Sequence, residues 1–114
     1  MDKRLYKIYC CFYACSSEQV VVSEHVGEIR IDKGHPRIYF ERLKHSCIGF
    51  ECFNKIMFST RTAADQQAKL LNDKKISGLE WEKCVREMQN RSNWVTLEQA
   101  KDIEITLEWY KENK

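Results

Sequence analysis

LYKIYCCFYA, residues Leu5 to Ala14, is apolar and aromatic with a single lysine inside it, and QVVVSEHV (Gln19 to Val26) and EIRID (Glu28 to Asp32) follow at short intervals. Short β-branched and aromatic runs set apart by polar breaks read as strands. In the first run the even positions Tyr6, Ile8, Cys10, Phe12 and Ala14 form the better core face, and in the third Ile29 and Ile31 share one side. Lys33-Gly34 before His35-Pro36 supplies a turn, because glycine accepts positive φ and proline fixes its own. RIYFERL continues as the next strand, and a last pair over about residues 47–50 and 55–58 closes the β portion. The expectation is a meander of four or five short antiparallel strands over about residues 4–58.

Beyond residue 60 the pattern changes to helix. Thr62 with Asp65, Ser77 with Glu80, and Thr96 with Gln99 each set a cap acceptor three residues before a partner that can reach back. Three helices are expected, at about 63–75, 78–90 and 97–112. Trp81, Cys84, Val85 and Met88 share a face of the second, and Ala100, Ile103, Leu107 and Tyr110 share a face of the third. Those faces need a partner, and the sheet is the economical one. The fold class is therefore α+β, a small antiparallel sheet packed with three C-terminal helices in one domain spanning 1–114.

The third helix is ambiguous in period. Ile103, Ile105, Leu107 and Trp109 alternate with polar residues as a strand would, yet the upstream cap and the run of helix formers favour a helix. On a helix, Ile105 and Trp109 make a second apolar stripe beside the first. That surplus is the candidate partner-binding surface, because aromatic residues dominate interface energetics.

Composition limits the functional classes. With 114 residues, 19 Lys and Arg against 17 Asp and Glu, one Pro and four Gly, the chain is an ordinary globule without a polybasic tail. No run of 18 apolar residues exists, so no membrane span is expected. MDKR before the first apolar run resembles a signal sequence in outline, but Lys7 and three tyrosines interrupt it, and a reduced, cytoplasmic protein is expected.

Cys10 and Cys15, and Cys47 and Cys52, are each separated by four residues, which in principle offers four thiolates to zinc. Cys10 and Cys15 have opposite parity next to a strand, so the six cysteines (10, 11, 15, 47, 52, 84) read mainly as buried small hydrophobes, and no metal or cofactor is expected. His25, His35 and His45 lie ten apart without a chemical reason. Nothing resembles a metalloprotease helix, a nucleophile elbow or a glycine-rich phosphate loop. Tyr9 and Tyr13 with Lys7, Arg37 and Arg42 offer a stacking face for single-stranded nucleic acid, and small-enzyme Cys/His chemistry is a third reading. The leading expectation is a non-catalytic protein-protein interaction module (an adaptor, an inhibitor or a small regulatory subunit) whose partner is another protein or a second copy of itself.

Overall fold

The computed structural model describes residues 4–41, 47–88 and 95–113. The protein is α+β, with an antiparallel five-stranded curled sheet that carries helices. Strands β1 (Tyr6–Ala14), β2 (Gln19–Asp32), β3 (His35–Phe40), β4 (Cys47–Gly49) and β5 (Met57–Phe58) stand in the order β4-β3-β2-β1-β5. The two expected strands over 19–32 are one long strand. Its first half pairs with β1 from Ala14↔Gln19 to Tyr6↔Gly27, and its second half pairs with β3 from Gly27↔Phe40 to Asp32↔His35. Gly27 is the shared point. A Cβ there would stand 2.7 Å from Ile38 Cγ2 and 2.9 Å from the Tyr39 carbonyl oxygen, so this close approach of strands needs glycine.

The expected last hairpin does not form. β4 pairs with β3 and β5 pairs with β1, at opposite edges of the sheet. A flat sheet of five strands would hold its edges about 19 Å apart at about 4.8 Å per strand. The chain joining them is compact: a 3-10 turn over Phe50–Cys52 leads into a second turn in which Ile56 N–H donates to Cys52 O at 2.9 Å and Asn54 N–H to Met57 O at 2.8 Å. Only a curled sheet brings its two edges within reach of so short a connection.

Curling divides the residues between two faces. Ile8, Cys10, Ile38 and Met57 are fully buried on the concave side, joined by Tyr6, Phe40 and Ile48. On the convex side Cys11 and Val20 are buried, next to Tyr13 and Val22. Helix α1 (Arg61–Asp73) covers this patch with Ala64, Ala68 and Leu71, a spacing that keeps them on one stripe. Its cap is Thr60, whose hydroxyl accepts from Ala63 N–H at 3.3 Å, so the helix starts two residues before the expected position. Helix α2 (Gly78–Met88) packs on β1 through Trp81, and its capping box forms: Ser77 N–H donates to Glu80 Oε2 at 3.1 Å and Glu80 N–H to Ser77 Oγ at 3.2 Å.

The expected trio of C-terminal helices is corrected. Two helices stand close to their expected places, but the third does not run over 97–112. Thr96 and Gln99 do exchange both capping bonds, at 2.9 and 3.2 Å, yet residues 97–102 form turns and helix α3 begins only at Glu104, running to Asn113. Ile103 N–H donates to Ala100 O and Thr106 N–H to Ile103 O, both three-residue spacings that tighten the chain. The break resets the helical phase. A sequence with two apolar stripes can thereby bury Ala100 (2% exposed) and Ile105 (4% exposed) together.

The turn at Lys33-Gly34 has the expected chemistry, with φ of 52° and 85° at its two central residues. It also anchors the chain leading to α3. Leu97 N–H donates to Gly34 O at 3.1 Å, and His35 Nδ1 lies 3.1 Å from Val95 O.

Candidate functional site

Thiol chemistry is suppressed first by burial. Desolvation pushes the Cys10 and Cys52 thiols up to about 12 and Cys11 up to about 11, with neighbouring Cys11 and Cys52 adding to the rise at Cys10 and Glu51 to that at Cys52. These groups are neutral thiols near pH 7, and Cys11 Sγ–H donates to Ala64 O at 3.3 Å. Cys15 is exposed in the β1–β2 turn while Cys10 is buried in the sheet, so this spaced pair does not converge. Among the described residues no group of three or more His, Cys, Asp and Glu has metal-binding geometry. His45 lies outside the described residues.

The structure adds a pair the sequence did not suggest. Ser23 Oγ and His25 Nε2 are 2.8 Å apart on the concave face of β2, with Phe12 and Phe40 edge-on to the imidazole at ring separations of 6.2 and 5.3 Å. Side chains two apart on a strand begin nearly 7 Å apart at their Cα atoms. The length of the imidazole closes that gap. Among the described residues the Ser23 hydroxyl is the hydrogen-bond partner of the imidazole, and no carboxylate bonds the other ring nitrogen, as one does in a nucleophile-base pair.

The basic and aromatic residues proposed for nucleic acid are divided. Lys7 and Tyr9 share the convex face, but both turn to Glu24: Lys7 Nζ lies 3.8 Å from its Oε1 and Tyr9 O–H donates to the same oxygen at 3.4 Å. A carboxylate therefore stands where a phosphate backbone would run. Tyr13 lies farther along, where a Cβ on Gly78 would strike its ring. Arg37 is opposite Arg30 in the β2–β3 register, and Arg42 lies outside the described residues. Of the residues proposed for a protein partner, Ile105 is buried in the core and Trp109 is half-buried and engaged in a contact of its own.

Two further features come from hydrogen-bond accounting. Glu41 N–H donates to Val26 O at 2.9 Å on the β3 side, so by strand alternation the N–H and C=O groups of Val20, Val22 and Glu24 point the same way. At Val20 the Asn72 carboxamide takes the place of a strand, accepting from its N–H at 2.8 Å and donating to its C=O at 3.0 Å. The opposite edge, at Cys11, is treated similarly: its N–H donates to Ile56 O at 2.7 Å and its C=O accepts from the Trp81 indole at 3.0 Å. Val22 and Glu24, between Asn72 and Glu41, have no such cap among the described residues.

The second feature is a cavity of about 620 Å³ between the 3-10 turn, α2 and Val95, lined by Glu51, Lys55, Cys84, Glu87, Met88 and Val95. Both carboxylate oxygens of Glu51 are buried without a hydrogen-bond partner. Desolvation raises its carboxyl above the usual value of 4.5. The opposing influences are smaller: the amides of Glu51 itself and Val95, which approach without reaching hydrogen-bond geometry, and the charges of Arg37 and His35. No sequence motif marks Glu51. Only its place behind a buried Phe50 and before a buried Cys52 sets it apart, and that place is legible only once the turn is known.

Comparisons with protein-family models, curated proteins and solved structures find no match for this chain.

Proposed function

We propose that the chain is a non-catalytic protein-recognition module, of the adaptor, inhibitor or small-regulatory-subunit kind, that works in the reducing cytoplasm and takes an extended partner segment along the stretch of the β2 edge that no described residue caps. The observation that carries this reading is the selective capping of the hairpin. Val20 and Cys11 have their outward backbone groups satisfied by Asn72, Trp81 and Ile56, whereas Val22 and Glu24 present two N–H and two C=O groups outward. An added strand uses this type of edge, with main-chain hydrogen bonds for affinity and alternate side chains for choice. The Glu41 carboxylate is exposed along it, next to a Glu24 already engaged by Lys7 and Tyr9, which favours a segment with a Lys or Arg opposite Glu41. The absence of a reactive thiol among Cys10, Cys11 and Cys52 supports a non-catalytic role. Unpaired, buried cysteines also suit a reducing compartment.

Amide hydrogen exchange with a Lys-Val alternating octapeptide tests this. In the free chain the Val22 and Glu24 amides should exchange fast while Val20 is protected, and the peptide should slow both. Val22→Pro removes a donor that points out of the sheet, so the fold should survive and peptide binding should be lost. Slow exchange at Val22 and Glu24 without peptide, or unchanged binding by the proline variant, rejects the edge.

A further inference from the structure

β3 ends at Phe40, opposite Gly27, so past Glu41 no described strand stands beside Val22, Ser23 and Glu24 on that side of β2. Strand addition puts a partner segment there, antiparallel to β2 along the line of β3. Val22 and Glu24 then exchange backbone hydrogen bonds with it. Ser23 falls in the non-hydrogen-bonded pair between them, where Cα atoms come within about 4.5 Å and side chains are closest. Ser23 and His25 are both half-buried on the concave face, so solvent reaches each of them. The partner side chain opposite Ser23 meets a hydroxyl whose oxygen lies 2.8 Å from His25 Nε2.

The charge of the imidazole decides what that hydroxyl offers. Where Nε2 carries no proton, Ser23 donates to it and presents only lone pairs outward. In the imidazolium Nε2–H donates to Ser23 Oγ, and the hydroxyl proton turns outward as a donor. Imidazoles generally change charge between about pH 5 and 8. On the concave face of β1 the titratable groups are Tyr6 and Cys10, both raised by burial and neutral, and β3 contributes the Phe40 ring and then Glu41. Lys7 and Glu24 pair with each other on the convex face. Among the described residues no carboxylate bonds the imidazole, so its positive state has room for an anion supplied from outside.

We propose that the Ser23–His25 pair selects an Asp or Glu at the partner position opposite Ser23, the imidazolium donating to Ser23 Oγ and the Ser23 hydroxyl donating to the carboxylate. This rests on the strand-addition reading and adds the partner's chemistry on the concave face. Hydrogen bonds with an ionised member are roughly twice as strong as neutral ones. The adjacent partner residue points to the convex face, where Glu41 favours Lys or Arg, so the recognised segment sets a basic residue beside an acidic one.

The test uses the whole chain and three octapeptides: the Lys-Val alternating one, and two in which a central Val is replaced by Glu or by Gln. Calorimetry gives their affinities at about pH 5.5 and about pH 8, on either side of ordinary imidazole titration. The Glu peptide should bind about tenfold tighter than the Gln peptide at the lower pH, as a charged hydrogen-bond partner does, and should lose that preference at the higher pH. The His25 ring resonance should titrate at a higher pH in the Glu complex than in the Gln complex, because the bound carboxylate favours the imidazolium. Ser23→Ala and His25→Gln should abolish the preference while still binding the Lys-Val peptide, which reports an intact fold and edge. If His25→Gln fails to fold, Ser23→Ala and the ring titration decide. Equal binding of the Glu and Gln peptides at the lower pH, or a preference unchanged by Ser23→Ala, overturns the selection and leaves the edge reading standing. Failure of all three peptides to bind rejects the edge and this proposal with it.

Discussion

The hairpin under α1 and α2 and the segments that carry Glu51 and Thr106 treat their buried polar groups in opposite ways. Under α1 and α2, side chains from the helices complete the hairpin edges: Asn72 meets both backbone groups of Val20, and Trp81 meets the Cys11 carbonyl. In the 3-10 turn and in α3, by contrast, the Glu51 carboxylate and the Thr106 hydroxyl are buried without partners. The first arrangement is what a stable fold requires, because an unmatched buried group costs about 1–3 kcal/mol. The second retains that cost. The contrast separates a region built for stability from one with acceptor capacity left over for something else.

The largest effect should come from breaking the satisfied hairpin. Trp81 is 5% exposed, and Trp81→Ala removes its packing and strands a carbonyl, which should cost about 3–5 kcal/mol in chemical unfolding. Trp81→Phe keeps most of the packing and should cost less, isolating the indole hydrogen bond. Asn72→Ala should follow, at about 1–3 kcal/mol, since it leaves both backbone groups of a buried Val20 without a partner. Asn72→Asp keeps the acceptor for the Val20 N–H but loses the donor, and should fall between wild type and alanine. If Asn72→Ala leaves the unfolding midpoint unchanged, water replaces the amide and the edge is not specifically capped.

The local elements were largely legible in the sequence, and the unmatched buried groups were not. The β1 and β2 runs, the Lys33-Gly34 turn and the Ser77-Glu80 box each follow from local residue chemistry, and they appear where that chemistry puts them. The fates of 47–58 and 97–112 depended on distant contacts. β4 and β5 have partners on opposite edges because the whole sheet curls, a property no short window carries. The Thr96-Gln99 box formed, but burying Ala100 and Ile105 together overrode the helix it announces. Ile105 falls on a spare stripe in the sequence for the same reason: an unbroken helical phase runs through a break that the sequence does not mark. Glu51 was invisible because its significance lies in missing partners, and residue type alone cannot show what fails to surround it.

A pH series sharpens the contrast through Glu51. Its carboxyl is raised in the folded chain above the ordinary 4.5, so the folded state holds that proton more tightly than the unfolded state. The stability this contributes is complete below about pH 4.5 and is lost as pH rises through the folded value, the reverse of an ion-paired carboxylate. Glu51→Gln should therefore raise the melting temperature at pH 7, and its advantage should shrink as pH falls toward 4.5. A variant less stable than wild type at pH 7 would show that Arg37 and His35 compensate the charge after all.

The smallest effect should come from Thr106. It is fully buried in the first turn of α3, and its Oγ1 lacks the backbone carbonyl that helical threonines often find one turn back. Thr106→Val keeps the β-branch and the volume, so rotamer preference and packing change little while an unmatched hydroxyl disappears. The substitution should stabilise the chain by about 1 kcal/mol, a rise of a few degrees in melting temperature. Thr106→Ser keeps the hydroxyl and loses a methyl, and should move in the opposite direction. If valine destabilises and serine is tolerated, the hydroxyl has a partner in solution, and the unmet capacity narrows to Glu51.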